Sequence, residues 1–158
     1  MENNEVLLLT RDGMERFDNE LNFLRKVKRQ EMADRIREAL SHGDIADNPE
    51  YEDAKNGQAF IEGRIITLEK MLRRARLLEK NRDNGDHVEL GSTVKLRDLM
   101  NGKTYEYTLV STAETDPFDQ KISDESPVGR AVMGRAPGER VIVKAPIGTL
   151  KYKIEKVR

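Results

Sequence analysis

Two aspartates three residues apart are the feature of this sequence best suited to metal chemistry. Asp44 and Asp47 lie in the stretch 41–54, which holds further acids but neither Lys nor Arg. Carboxylate oxygens are the ligands that hard divalent cations such as Mg²⁺ prefer, yet two of them are too few to retain an ion. The pair therefore predicts half of a metal site, which another molecule must complete.

The other acids of this stretch have a sufficient structural explanation. They follow Asn48-Pro49, a favoured helix cap with a proline at the first helical position, where acids interact well with the helix dipole. Asp47 can also cap this helix, whereas Asp44 precedes the cap and gains little from it. Stabilisation of the helix start and a metal half-site both remain open as explanations of the acids, and the position of Asp44 favours the metal half-site. The remaining acids are Glu50, Glu52 and Asp53.

Composition excludes several classes of site. The chain of 158 residues has no Cys and two His, which removes disulfides, thiolate zinc sites, thiol nucleophiles and His-rich metal centres. The net charge of -1 means that any contact with RNA or DNA must be local. Charged residues make up 36% and aromatic residues 5%, which predicts much solvated surface, as in a long exposed helix.

Two long helices are predicted to position the aspartates. Thr10 is a good N-cap, and apolar residues then recur at helical spacing as far as Leu40, in a pattern that skips over Lys28. The run Ser41-His42-Gly43 ends this helix, and Asn48-Pro49 begins the next. The second helix carries a coiled-coil seam at Tyr51, Ala54, Gln58, Ile61, Ile65, Leu68, Leu72 and Ala75.

Helices of roughly 30 residues, each about 45 Å long and joined by a short loop, pack most simply as an antiparallel hairpin. Asp44 and Asp47 then lie at its exposed tip. Gly57 and Gly63 inside the second helix each cost about 1 kcal/mol relative to Ala. They indicate close approach to the partner helix or to an outside molecule, or else tolerated defects, and both interpretations stay open.

Basic residues lie along both helices of the predicted hairpin, Arg35, Arg37 and Lys55 among them. Acids interleave with them at helical spacing, which predicts a solvated, salt-bridged face. The alternative is a basic strip behind the acidic tip that meets a phosphate backbone. In that case these three side chains contact RNA.

A polar run from Arg82 to Asp86 separates this helical half from a strand-like half, which predicts domains at 1–82 and 83–158. The fold class is α+β: an N-terminal antiparallel coiled-coil hairpin followed by a small antiparallel sheet with a short helix at 128–135. Period-two alternation predicts strands at Ser92–Leu96, Thr104–Val110, Arg140–Lys144 and Leu150–Glu155.

The sequence predicts a cytoplasmic protein that does not enter a membrane. The apolar run at Val6–Leu9 is too short for a secretory signal and has no basic region before it. No stretch approaches the roughly 20 apolar residues that span a bilayer.

Three segments closely resemble the Gre family of transcript-cleavage factors. Residues 42–51, HGDIADNPEY, resemble that family's hairpin tip, 58–65 its second helix and 122–131 its C-terminal loop. The resemblance spans nearly the whole chain, in the family's order. It implies an N-terminal coiled-coil hairpin and a C-terminal domain with an FKBP-like fold that lacks isomerase function.

The resemblance also implies a partner and a role. The C-terminal domain would dock at the mouth of the secondary channel of RNA polymerase through Ser123, Ser126 and Pro127. The hairpin would reach the active centre and stimulate endonucleolytic cleavage at the 3′ end of backtracked nascent RNA. Asp44 and Asp47 would help to hold a Mg²⁺ of the polymerase and orient the attacking water. The free chain would then be a monomer, without a cofactor and without enzyme activity of its own.

This sequence departs from the family at one tip position. The family commonly carries Glu where this chain has Asp47, so charge is kept and reach is lost. Asn48, Glu50 and Tyr51 match the family and support the tip, although Asn48 and Tyr51 also serve as cap and first seam residue. Two alternatives stay open: a factor of the same fold that inhibits the polymerase, and a coiled-coil chaperone or prolyl isomerase. An isomerase pocket usually needs an aromatic lining, and the second half holds only Phe118, Tyr105, Tyr107 and Tyr152.

Overall fold

The computed structural model describes residues 5–43, 45–79 and 86–158. The chain forms two compact units. The hairpin unit comprises Met1–Leu7 and Asp12–Ala75, and the sheet unit comprises Leu8–Arg11 and Arg76–Arg158. The domain boundary predicted next to residue 82 lies outside the described residues. Short strands β1 (Leu7–Leu9) and β2 (Ala75–Leu77) pair where the chain passes between the units.

The first long helix contains a π-helical segment. Helix α1 spans Arg11–Phe23, the π segment Leu24–Lys28, and α2 Arg29–Ser41. Phe23 and Arg29 on either side keep right-handed helical dihedral angles, so the three pieces form one continuous helix. A π turn bonds i to i+5 and so holds one more residue than an α turn. The break in the seam at Lys28 falls in this wider turn, which keeps the later apolar residues on the buried face.

Helix α3 spans Pro49–Arg74 and runs antiparallel to the first long helix. The direction follows from three ion pairs in which the residue number rises on one helix and falls on the other: Arg25 with Glu69, Arg29 with Glu62, and Arg35 with Asp53. The predicted seam is confirmed from Ala54 to Leu68, since Ala54, Ile61, Ile65 and Leu68 are buried. Its last predicted member, Ala75, lies in β2, one residue beyond the end of α3.

The two glycines of α3 differ in their surroundings. A Cβ built on Gly57 would lie 2.9 Å from the Sδ of Met32, so this glycine marks a close approach of the two helices. A Cβ on Gly63 would meet no described atom within 4 Å apart from its chain neighbours and the adjoining backbone of its own helix. Close approach to the partner helix is therefore confirmed at Gly57 and absent at Gly63 within the described chain.

The sheet unit is built on five strands in the order β5-β4-β3-β7-β6. Three pairs are antiparallel, but the pair of β4 with β5 is parallel, so the sheet is mixed and the prediction of a purely antiparallel sheet was wrong at this edge. Apolar side chains of the sheet, including Leu96, Leu109, Val143 and Ile154, form the core with Val132 of the short helix. The strands are β3 (Thr93–Asp98), β4 (Thr104–Val110), β5 (Lys121–Ser123), β6 (Arg140–Ala145) and β7 (Gly148–Val157), and the helix is α4 (Pro127–Val132).

The α+β class, the four predicted strands and the short helix are confirmed. The three-residue strands β1, β2 and β5 were not predicted, because so few residues show no periodicity.

The parallel connection from β4 to β5 passes through two 3₁₀ turns, Thr112–Glu114 and Pro117–Asp119. Glu114 is 2% exposed. Its carboxylate accepts hydrogen bonds from the N–H (2.8 Å) and the hydroxyl (2.5 Å) of Thr10.

Within the described ranges, no helix has both the length and the apolar character that crossing a bilayer requires.

Candidate functional site

The tip loop, residues 42–48, joins α2 to α3. Asp44, the residue that most favours a metal half-site, lies outside the described residues. Asp47 is exposed and adopts a left-handed backbone with φ of 58°. Asp is among the few side chains that tolerate this conformation, because a short polar side chain can hydrogen-bond locally. The left-handed turn at Asp47 brings the chain into the cap of α3.

Asn48 holds the two ends of the tip loop together. Its Oδ1 accepts the N–H of Tyr51 at 3.2 Å, which is the predicted N-cap of α3. Its Nδ2 donates to the carbonyl oxygen of Ala39 at 3.0 Å, in the last turn of α2. One side chain therefore satisfies an orphan amide of α3 and gives a second donor to the carbonyl of Ala39, which also accepts the N–H of His42 at 3.3 Å. The cap was expected, but no signal in the sequence indicated the second bond, whose partner lies nine residues away.

Carboxylates and a histidine line an open cleft at this tip. The cleft has a volume of about 440 Å³ and is lined by His42, Gly43, Ala46, Asp47, Asn48, Pro49 and Glu50. Its acidic side chains offer hard oxygen ligands of the kind that Mg²⁺ prefers. Within residues 5–43, 45–79 and 86–158, no three His, Asp or Glu side chains are grouped closely enough to hold a metal ion. The described cleft thus offers two acids, Asp47 and Glu50, on one surface.

The three basic residues predicted to contact RNA all have partners on the hairpin. Arg35 lies 3.1 Å from Asp53, and the guanidinium of Arg37 lies 3.5 Å from the carboxylate of Asp34. Lys55 donates to the side-chain oxygen of Gln58 at 3.1 Å. These contacts are exposed, and pairs of this kind contribute at most about 1 kcal/mol. A phosphate group that approaches can therefore replace them at small cost.

Further from the tip, stronger pairs fix the two helices. Arg29 donates two hydrogen bonds to Glu62, at 2.7 and 2.9 Å, and these bonds lower the pKa of Glu62. Arg64 makes the same two-pronged contact with Glu20, which raises the pKa of Arg64. The salt-bridged face expected from the charge pattern is present along this part of the hairpin.

The docking loop, residues 123–127, leads from β5 into α4. The hydroxyl of Ser126 accepts the N–H of Gly129 at 3.1 Å and donates to the carbonyl oxygen of Ser123 at 2.6 Å. Ser126 is thus the N-cap of α4, and Pro127 occupies its first position. Gly129 packs against the same carbonyl, since a Cβ there would lie only 2.0 Å from the oxygen of Ser123. The polar groups of the loop thus bond to one another.

The three predicted docking residues differ in exposure. Ser123 is 7% exposed, and its hydroxyl accepts the N–H of Glu125 at 2.9 Å and lies 3.1 Å from the hydroxyl of Thr112. Ser126 is half-buried, and Pro127 is exposed. Pro127 can therefore touch another molecule directly, whereas Ser123 shapes the loop from within.

Two family models together match nearly the whole chain. A family described as "Transcription elongation factor, N-terminal" matches residues 7–77, and "Transcription elongation factor, GreA/GreB, C-term" matches residues 82–158. The transcription elongation factor GreA of Syntrophomonas wolfei is 52% identical over 99% of this chain and 99% of that protein. That of Caldanaerobacter subterraneus is 45% identical over 96% and 97%. A solved structure of GreA factor homolog 1 from Thermus thermophilus is 33% identical over 98% and 99%, with a TM-score of 0.45.

Proposed function

This chain belongs to the GreA/GreB family of transcription elongation factors, and from that membership we propose how it acts. It binds bacterial RNA polymerase at the secondary channel, with the sheet unit at the mouth and the hairpin inside. There it stimulates endonucleolytic cleavage of the 3′ end of backtracked RNA and so rescues arrested complexes.

The tip is the observation that carries this proposal. The stretch 41–54, which contains acids but neither Lys nor Arg, occupies the end of a salt-bridged hairpin, and of its described acids Asp53 pairs with Arg35 of α2. Asp47 and Glu50 line one cleft there, and the two hydrogen bonds of Asn48 fix the loop on which Asp47 lies. A long hairpin with exposed carboxylates such as Asp47 and Glu50 at its end suits delivery of metal ligands into a narrow site.

The oxygen donors of the tip fit Mg²⁺. In phosphodiester hydrolysis, Mg²⁺ ions of the polymerase activate the attacking water and stabilise charge on the leaving oxygen. Asp44 and Asp47 would help to hold a Mg²⁺ of the polymerase and would orient the attacking water. Asp47 reaches less far than the Glu common in this family, so it would ligate the ion directly or through water, with Glu50 beside it in the cleft.

The remaining residues of the tip position the RNA and the acids. Arg35, Arg37 and Lys55 exchange their exposed partners for phosphates of the nascent RNA close to its 3′ end. Tyr51 begins the seam that anchors α3 against α2. The free chain is a cytoplasmic monomer. It is not an enzyme, because two carboxylates hold Mg²⁺ too weakly to act alone.

The test is an RNA-cleavage assay on stalled, backtracked elongation complexes with Mg²⁺. We expect the RNA to shorten from its 3′ end when the protein is added, and RNA incubated with the protein alone to stay intact. If the RNA keeps its length while elongation slows, the protein is an inhibitor that uses the same channel. Shortening of free RNA would assign the nuclease activity to this chain and overturn the proposal.

A prolyl isomerase gains no support from the arrangement of the aromatic residues. Tyr105 stacks on Tyr107 with ring centres 6.2 Å apart and meets the edge of Tyr152 at 6.4 Å. These tyrosines pack against the core of the sheet, whereas Phe118 is fully exposed. The four side chains therefore do not line one pocket.

A further inference from the structure

One aromatic side chain of the sheet unit projects completely into solvent. Phe118 is 100% exposed, more than any other large apolar side chain described. It lies in the 3₁₀ turn Pro117–Asp119, between β4 and β5. A phenylalanine that becomes buried removes about 150–250 Å² of surface from water. Burial against another molecule would therefore release considerable free energy.

The aromatic turn, residues 116–121, presents this ring on a fixed backbone. The carboxylate of Asp116 accepts the N–H of Phe118 at 3.0 Å. The backbone of Asp116 exchanges hydrogen bonds of 3.0 and 2.9 Å with the backbone of Lys121, which closes the turn. Lys121 also pairs with Asp119 at 3.0 Å. A turn fixed in this way loses little entropy on binding, which favours affinity.

The same edge of the sheet carries the docking loop. The aromatic turn ends at Lys121, the first residue of the edge strand β5, and the docking loop begins at Ser123, its last residue. Three strand residues span about 10 Å. A standard protein interface covers about 800 Å² on each partner, so one partner can contact both features at once.

We propose that Phe118 is the hydrophobic anchor by which this factor docks on RNA polymerase. The ring enters an apolar pocket of the polymerase next to the surface that receives Pro127. This inference rests on the proposed function, because it takes the polymerase as the partner of this edge. Aromatic anchors of this kind commonly supply most of the affinity of an interface, while the polar residues around them exclude water.

The test compares Phe118→Ala with Ile147→Ala in binding to core RNA polymerase. Ile147 is 87% exposed and belongs to the same unit, in the turn between β6 and β7, so its loss controls for reduced surface apolarity. We expect Phe118→Ala to raise the dissociation constant about 30-fold and Ile147→Ala to leave it unchanged. Phe118→Leu restores part of the affinity. Both alanine variants should melt like wild type, because neither side chain is buried.

A second measurement separates this inference from the function it rests on. In the cleavage assay, Phe118→Ala should need a higher concentration for half-maximal cleavage and reach the wild-type rate at saturation. If the wild type cleaves and Phe118→Ala binds the polymerase as tightly as the wild type does, only the anchor is overturned. Loss of self-association and nothing else in Phe118→Ala would also overturn the anchor, since the ring would then dock on a second copy. Wild type that neither binds the polymerase nor cleaves would overturn both proposals.

Discussion

The tip loop and the docking loop use polar side chains in opposite ways. At the tip, one side chain, Asn48, bonds to the end of α2 and caps the start of α3, and Asp47 and Glu50 stay exposed. In the docking loop, the polar groups of Ser123 and Ser126 turn inward and bond to the loop itself. Substitutions of the tip acids should therefore change chemistry and leave folding intact. Substitutions inside the docking loop should change folding first.

Gly129→Ala should produce the largest effect on stability. The new Cβ would lie 2.0 Å from the carbonyl oxygen of Ser123, which is backbone and cannot move aside cheaply. We expect a loss of about 3 kcal/mol or more in the free energy of unfolding, measured by urea denaturation. Polymerase affinity should fall with it. Wild-type stability would show that the docking loop is soft, which would remove the contrast with the tip.

Asp44→Asn should produce the largest effect on chemistry. The change removes a charge with little change in size, at a position outside the cap. We expect cleavage to fall about 100-fold or more, in the range measured when a group acting in the transition state is removed, while polymerase binding persists. Single-turnover cleavage and competition binding measure the two effects. Glu52→Gln, in the first turn of α3, is the matched control and should keep cleavage. Equal loss of binding and cleavage in Asp44→Asn would mean that Asp44 is structural.

Asn48→Asp tests the two hydrogen bonds of the Asn48 side chain separately. An aspartate keeps the acceptor for the N–H of Tyr51 but loses the donor to Ala39, whereas Asn48→Ala loses both. We expect the free energy of unfolding to fall by about 1 kcal/mol in Asn48→Asp and by about 2 kcal/mol in Asn48→Ala. Thermal melts monitored by far-UV circular dichroism measure both losses. Cleavage should fall in the same order at unchanged polymerase affinity. Wild-type behaviour of Asn48→Asp would show that the bond to Ala39 contributes nothing.

Gly63→Ala should give the smallest effect and the opposite sign. Beyond its chain neighbours and the adjoining backbone of its own helix, no described atom lies within 4 Å of the added Cβ, so the helix gains about 1 kcal/mol in intrinsic propensity. Gly57→Ala is the control, because its Cβ would press on Met32 at 2.9 Å and cancel part of that gain. We expect Gly63→Ala to raise the melting temperature and to leave cleavage unchanged. Impaired cleavage would instead identify Gly63 as a point of close approach to an outside molecule.

Much of the fold could be predicted because its signals are local and repeated. The cap at Asn48, the seam of α3 and the strand Thr104–Val110 each follow from spacing over several residues. The skipped position at Lys28 hinted at the π segment without identifying it. Strand β5 could not be predicted, because three residues carry no period and its parallel partner β4 precedes two intervening turns.

The features of the candidate site likewise divide into those that the sequence reveals and those that depend on the folded chain. The charge of the tip is a property of composition, so it could be read directly from the sequence. The left-handed backbone of Asp47, the bond from Asn48 to Ala39 and the exposure of Phe118 depend on where the chain lies in space. No pattern in the sequence distinguishes an exposed phenylalanine from a core one when the residue stands in a short turn.

The bond between Thr10 and Glu114 has a consequence for exchanging parts between relatives. Glu114 is buried, and its carboxylate is satisfied by the N–H and hydroxyl of a residue 104 positions earlier in the chain. A hybrid that joins one relative's first 82 residues to another's remainder inherits these partners from different parents. A mismatch would leave a buried acceptor unsatisfied, at a cost of about 1–3 kcal/mol. A hybrid therefore keeps this bond only if the segment before the first helix and the sheet come from the same parent.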